Sequence, residues 1–256
     1  MRCSKRGEAT SPESVTPRFG GGRSIRTPED RAWLKLLYDG EVRYVDDNID
    51  RLIANVKDLG IYDDALIVLT SDHGEEFWDH GNWEHGHTLY NELVTVPLLI
   101  KLPGGAPKGE VHQAISTDAL LPTILDICSV EPSTGFPVRR SLRHLWMRAA
   151  TPDSVEPIFL SGVEYYEPRE GIVFDGMKYI YATASEEEEL YDLGVDPGEQ
   201  NSLVGSSDAK LQEARTLLEQ RRRLREMHDT PVTGSDGGVQ IDPQIEAELR
   251  ALGYID

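Results

Sequence analysis

Six consecutive residues, Ala65-Leu66-Ile67-Val68-Leu69-Thr70, run without interruption into Ser71-Asp72-His73-Gly74. A short unbroken apolar run bounded by turn residues fits a strand covered on both faces. That arrangement predicts a parallel sheet with helices on either side. It also sets a place for chemistry, because sites in open α/β sheets form just beyond the carboxyl ends of the strands. The polar segment after Thr70 therefore lies where a site belongs.

The flanking sequence has the same α/β character. Upstream, Thr27-Pro28-Glu29-Asp30 carries a helix start. Thr27 can cap, Pro28 suits the first helical position, and the two acids face the positive helix end. Apolar residues then recur at Leu34, Leu37, Tyr38, Val42, Val45, Ile49, Leu52, Ile53 and Val56. This is helical spacing, and it stops at Leu59-Gly60 with a glycine C-cap. Downstream, Val96-Pro97-Leu98-Leu99-Ile100-Lys101 predicts a second strand, closed by Pro103-Gly104-Gly105. Asp118 to Cys128 predicts a helix, with Cys128 as a small buried hydrophobe. A Pro-rich loop near Glu131 to Pro137 and a short helix near Leu142 to Arg148 follow.

After about residue 150 the pattern shifts to short β-type segments at Pro157–Ser161, Gly171–Phe174 and Lys178–Thr183. Asp175-Gly176 between the last two is a hairpin turn signal. The acidic run Glu186 to Glu189 is expected as a solvated loop. Asp208 to Met227 predicts an amphipathic helix with Leu211, Ala214, Leu217, Leu218 and Leu224 on one side. Its other face carries Arg221-Arg222-Arg223, expected to pair with local carboxylates. A last helix is expected near Pro243 to Ala251. The organisation predicted is a leader over 1–26, an α/β core with the site loop over 27–150, and a C-terminal subdomain over 151–256.

Charge narrows the function classes. The 256 residues carry 26 basic and 45 acidic side chains, a net of −19. Such a surface repels phosphate backbones and anionic lipid, so a nucleic-acid partner is not expected. No apolar run approaches the ~20 residues of a membrane span. Cys3 and Cys128 allow at most one disulfide, so there is no disulfide framework. The leader differs from the rest: six cations against Glu8 and Glu13 make it +4, leaving −23 for the other 230 residues. Rich in Ser, Thr, Pro and Gly, and without an apolar core, it is expected as a disordered tail or a misplaced start, not a secretory signal. A basic recognition arm is the alternative.

Four of the seven histidines fall between His73 and His87, together with Asp72, Glu75, Glu76, Asp79 and Glu84. Asp72 at a strand end can offer a carboxylate to a hard cation. His73 beside it offers an imidazole nitrogen, which favours a transition metal or a mixed N/O site. Two ligands do not complete a divalent site, so more must come from elsewhere. His85 and His87 can give protons or positive charge to an anionic group. Taken singly, Asp72 also suits a turn cap and His73 a surface loop. Together these groups suggest hydrolysis of an anionic ester, a sulfate or a phosphate.

Three stretches here resemble the sulfatases of the alkaline-phosphatase superfamily: Thr70-Ser71-Asp72-His73-Gly74-Glu75, then His85-Gly86-His87-Thr88-Leu89-Tyr90-Asn91-Glu92-Leu93, then Val96-Pro97-Leu98. Leu37 to Asp46 resembles the family's long helix before the metal strand, and Asp118 to Leu125 the helix after it. Glu189-Leu190-Tyr191-Asp192-Leu193 with Asp196-Pro197-Gly198-Glu199 resembles its C-terminal hallmark, and Leu249 to Ile255 its ending. The resemblance implies part of an alkaline-phosphatase-like α/β/α sandwich followed by a small α+β subdomain. It implies a sulfate ester substrate. It also implies Asp72 and His73 as ligands of a divalent ion, usually Ca2+, with Mn2+ or another transition metal as the alternative. The family's Lys or His before the Leu-Tyr segment contacts the sulfate and the leaving oxygen; His85 fits that position, with His87 in reserve.

The chain departs from the family at the nucleophile. Sulfatases use a cysteine oxidised to formylglycine within Cys-x-Pro-x-Arg, or its serine variant. Cys3-Ser4-Lys5-Arg6 does not fit, and Ser14-Val15-Thr16-Pro17-Arg18 has its proline one place late. The family's opening acidic pair and its upstream histidine are also lacking. Three readings follow: a sulfuric ester hydrolase seen without its nucleophile, a non-catalytic remnant or binding subunit, and a phosphodiester or phosphonate monoester hydrolase. Neither localisation nor oligomeric state follows from these residues.

Overall fold

The computed structural model describes residues 27–105, 108–131, 140–146, 156–163 and 166–228, with the backbone of two short strands at 18–19 and 23–24. The expected ending at Leu249–Ile255, the helix near Pro243–Ala251, most of the Pro-rich loop and the end of the Leu142–Arg148 segment lie outside the described residues. The chain divides into two compact units, Met1–Arg215 and Thr216–Asp256.

Within the leader, β1 (Arg18–Phe19) pairs antiparallel with β2 (Arg23–Ser24). Helix α1 then spans Pro28–Asp58. Thr27 and Asp30 form a reciprocal capping box: the Thr27 hydroxyl accepts the Asp30 N–H, and the Asp30 carboxylate accepts the Thr27 N–H, each at 3.1 Å. A cap of this kind is worth ~1 kcal/mol. The helix ends where Gly60 takes φ +72°, a conformation cheap only for glycine.

The strand expectation needs a correction. β3 (Ile67–Thr70) and β6 (Leu98–Lys101) do form, but they pair antiparallel, with Ile67 opposite Lys101 and Leu69 opposite Leu99. Among the described residues neither is covered on both faces. Leu69 and Leu99 share one face, and Leu99 is 59% exposed. The apolar stripe of α1 is uncovered too: Leu34 is its buried residue, whereas Val42 and Leu52 are 52% and 60% exposed. An apolar run reports which faces a strand can bury, not which neighbours bury it or in what direction they run. Lys101 ties the pair to the preceding turn, donating from Nζ to the carbonyls of Tyr62, Asp63 and Ala65 over the Tyr62 ring.

Between these strands lie the short strands β4 (Glu76–Phe77) and β5 (Trp83–Glu84), paired antiparallel, and the single-turn helix α2 (Asn91–Val94). After β6, a 3₁₀ turn at Thr117–Ala119 leads into α3 (Leu120–Ile127). Buried Thr123 joins α3 to the next turn: its hydroxyl donates to the Ala119 carbonyl and accepts from the Leu142 N–H. The predicted helix at Leu142 is a 3₁₀ turn over Leu142–Leu145. Cys128 caps α3 and is exposed, not buried.

The best-covered part is a four-stranded antiparallel meander in the order β10-β9-β8-β7. Its strands are β7 (Ile158–Ser161), β8 (Arg169–Phe174), β9 (Met177–Ala182) and β10 (Glu188–Asp192). Asp175-Gly176 makes the β8–β9 turn with φ +46° and +75°, as a two-residue hairpin requires. The acidic run expected as a loop supplies β10 from Glu188 onward. Glu188 and Glu189 stay in a strand because each finds partners: Glu188 pairs with Arg215, and Glu189 accepts from Tyr90, Tyr191 and Arg169. Helix α4 spans Asp208–His228; Leu211 and Ala214 are buried, but Leu224 is half exposed. The Arg223 guanidinium pairs with Glu219 on the same helix.

The meander holds the site loop. Leu89, at the loop's end, packs with Ile180 and Tyr191 in one buried cluster. Beneath it, Lys178 and Glu199, both with fully buried side chains, form an ion pair at 2.7 Å. Lys178 Nζ also donates to Asn91 Oδ1, and the Asn91 N–H donates to Glu199 Oε2 at 2.6 Å. Burial pushes the Lys178 ammonium below its ordinary range, and the Glu199 carboxylate opposes that shift. Breaking such a pair leaves an uncompensated buried charge, at a cost of ~3–5 kcal/mol. Lys178→Ala is therefore expected to lower unfolding stability by that order, and the double variant Lys178→Met/Glu199→Leu to recover much of it. Urea unfolding followed by circular dichroism measures both.

Candidate active site

The loop from Asp72 to Tyr90 is threaded close to α2. Gly74 donates its N–H to the Leu93 carbonyl at 2.8 Å. A Cβ at Gly74 would lie 2.0 Å from the Glu92 carbonyl oxygen, a backbone atom that cannot step aside. Glycine is thus required between His73 and Glu75 because two backbones meet there. Asp72, at the end of β3, is 76% exposed and accepts the His73 N–H at 3.0 Å. That backbone bond holds its carboxyl below the usual carboxylate range.

Two of the loop histidines are structural anchors. His87 is buried, with Nε2 donating to the fully buried Glu76 at 2.7 Å. The other Glu76 oxygen accepts the backbone N–H groups of His80 and Asn82. Burial disfavours the His87 imidazolium, but the Glu76 bond and a backbone bond at His85 outweigh it, so His87 titrates above an ordinary histidine. Burial likewise opposes the Glu76 carboxylate, and its three donors pull it below the usual range. His80 donates Nδ1 to Glu92 at 2.5 Å and Nε2 to the Glu199 carbonyl at 3.1 Å. Its ring stacks on Tyr90 at 3.6 Å, as a cation does on an aromatic face. Here too burial works against the charge, and Glu92 overcomes it.

The other two histidines face outward. His73 and His85 stack with ring centroids 3.9 Å apart. His73 Nδ1 donates to the Gly74 carbonyl at 2.8 Å, and His85 Nδ1 to Glu75 Oε2 at 3.1 Å. In both rings Nε2 is then the nitrogen with a free lone pair. His73 Nε2 lies 3.8 Å from Asp72 Oδ2. Asp72 and His73 thus present a carboxylate and an imidazole nitrogen to one point, which fits two ligands of a divalent ion. His85 joins them, and His87 lies apart in its buried pair. In the sequence Glu75 is one acid among several in the loop. Its place beside His85 follows from the turn through β4 and β5, which no local spacing announces.

Comparison with known proteins identifies the family. The sulfatase family model matches residues 22–130, and the C-terminal model of N-sulphoglucosamine sulphohydrolase matches residues 79–228. The chain belongs to the sulfatase family. It is similar to the N-acetylglucosamine-6-O-sulfatase of Bacteroides thetaiotaomicron, 32% identical over 206 residues, covering 75% of this chain and 36% of the relative. Among solved structures it resembles BT4656 in complex with its substrate D-glucosamine-2-N,6-O-disulfate, at 27% identity and a TM-score of 0.61, covering 73% of this chain and 40% of that one. It also resembles the phosphonate monoester hydrolase SpPMH from Silicibacter pomeroyi, at 28% identity and 0.66, covering 86% and 46%. The chain spans less than half the length of each. The fold is mixed α/β, a partial alkaline-phosphatase-like core. No described helix is long and apolar enough to cross a membrane.

The His87–Glu76 pair makes stability depend on pH. His87 is raised, so its contribution is full below the ordinary histidine value of 6.5 and is lost as pH climbs through the folded value. Glu76 is lowered, so its contribution is full above the ordinary 4.5 and is lost as pH falls through the folded value. His87→Ala is expected to cost most between these limits, with the gap from the unmutated protein closing at alkaline pH. Thermal unfolding across a pH series measures the gap.

Proposed function

We propose that this chain carries the metal-side and leaving-group-side residues of a sulfuric ester hydrolase, and that the nucleophile is not among its 256 residues. The observation that carries this reading is the convergence of Asp72, His73 and His85 at the end of β3 in a chain of the sulfatase family. Asp72 and His73 would hold a divalent ion, Ca2+ first among the candidates, which when bound would neutralise charge on a sulfate oxygen. His85 lies open to solvent with a free Nε2, oriented through Nδ1 by Glu75. With Nε2 protonated as well, the imidazolium can meet the departing oxygen with a proton or a hydrogen bond. His87, paired to Glu76, stiffens the turn that carries His85 and is the reserve for that role. The names of two relatives point to sulfated glucosamines, so a sugar sulfate is the substrate class to test first. The alternative of a non-catalytic binding subunit shares this geometry and differs in turnover. A phosphonate or phosphodiester reaction is the second reading, favoured by the 86% of this chain that aligns with SpPMH.

Loaded with metal, the chain by itself is expected to give no turnover of 4-nitrophenyl sulfate; a rate near ~1 per second, ordinary for enzymes, would remove the missing-nucleophile reading. The role of His85 shows in an enzyme completed by joining the N-terminal region of a relative to this chain. A proton donor matters most when the leaving oxygen is strongly basic, and its loss costs ~100- to 10,000-fold. His85→Ala is expected to slow an alkyl or sugar sulfate by that order and 4-nitrophenyl sulfate far less. Equal losses on both would leave His85 as a binding residue. Faster cleavage of a phosphonate monoester than of any sulfate would favour the second reading.

A further inference from the structure

Tyr166, in the connection from β7 to β8, is out of keeping with its surroundings. That connection is tied down on both sides. It leaves β7 through Gly162 at φ +106°, and Val163 packs on the Leu89, Ile180 and Tyr191 cluster. It enters β8 past Glu167, whose carboxylate accepts the Ala184 and Ser185 N–H groups and the Ser185 hydroxyl. The Pro168 carbonyl accepts both the N–H and the hydroxyl of Thr183. Tyr179 and Tyr191 of the same meander are buried, with their hydroxyls on Glu188 and Glu189. Tyr166 lies between the two anchors and yet is 58% exposed.

Its place is beside the site. The Tyr166 ring stands nearly perpendicular to that of His87, at 73° and 6.1 Å between centroids. His87 in turn bonds the backbone of His85. The C-terminal meander thus holds an aromatic surface next to the turn that carries His85, some 80 residues away in the chain. What such a surface suits follows from its chemistry. A sugar sulfate has an anion at one end and, behind it, a ring with an apolar C–H face and hydroxyls at its rim. Tyrosine is uncharged, flat and poor in rotamers, and it joins an apolar face to a polar tip. It matches the body of the sugar and leaves the anion to the histidines. Because its connection is anchored at both ends, little ordering is left to oppose binding.

Resting on the hydrolase reading of the site, we propose that Tyr166 selects a sugar sulfate by packing its ring on the C–H face of the sugar. The test starts with the whole chain. Glucosamine 6-sulfate is added, and saturation transfer from the protein to the sugar ring protons is read by NMR. Transfer is expected from the unmutated chain and from Tyr166→Phe. Tyr166→Leu, which still covers His87 but offers no aromatic face, should bind ~10-fold more weakly. In the enzyme completed by a relative's N-terminal region, Tyr166→Leu should raise KM for glucosamine 6-sulfate by that order with kcat nearly kept. It should affect ethyl sulfate, which has no ring, far less. Equal losses on both sulfates, or a fall in kcat at unchanged KM, would overturn the proposal in favour of packing over His87. A larger loss on choline sulfate than on the sugar would overturn it in favour of a cation on the ring. Absent transfer, or transfer unchanged by Tyr166→Leu, would overturn it whatever the turnover. Turnover of no sulfate by the completed enzyme, with the NMR contrast intact, would remove the hydrolase reading and keep Tyr166 as the residue that holds the sugar.

Discussion

Lys178 and Glu199 have no contact with water, and each would be costly there alone. Their pairing has a geometric result. Because Glu199 also takes the Asn91 N–H, and Lys178 also reaches the Asn91 side chain, the pair is welded to the start of α2. The Glu199 carbonyl takes one nitrogen of His80, and Glu92 of α2 takes the other. A charge buried in the C-terminal meander thus positions a loop about a hundred residues earlier in the chain. The Asp196-Pro197-Gly198-Glu199 turn delivers Glu199 with φ +53°, a conformation that a non-glycine residue holds only when its surroundings insist on it.

Around that anchor the loop sorts its histidines by exposure. His80 and His87 have both charge and carboxylate partners inside, so their positive form is a structural element. His73 and His85 keep a nitrogen free at the surface. The neighbouring acids divide with them: Glu76 is fully buried on His87, and Glu75, just before β4, meets the more exposed His85.

Much of the architecture could be read in advance, for identifiable reasons. The capping box at Thr27 and Asp30, the hairpin at Asp175-Gly176 and the limits of α1 are local, and local signals suffice for them. The reading failed where the answer lies across space. The acidic run ending at Glu189 forms part of β10 because Arg215, Arg169 and three tyrosines come to meet it. The β3 strand is antiparallel to β6 because that is the neighbour it has, whatever its own composition suggests. Asp72, His73 and His85 were visible as a cluster of types. That Glu75 stands beside His85 while Glu76 holds His87 needed the register of two short strands.

The uncovered side of α1, with the Leu69–Leu99 face of the β3–β6 pair, sets how this chain behaves when prepared by itself in bulk solution. Apolar patches of this kind drive self-association, and the net charge of −19 is the force opposing it. That opposition comes from carboxylates, so it weakens as they take up protons. The colloidal stability of the chain by itself should therefore be greatest in neutral, low-salt solution and fall steeply toward mildly acidic conditions, where repulsion fades and the apolar surface remains.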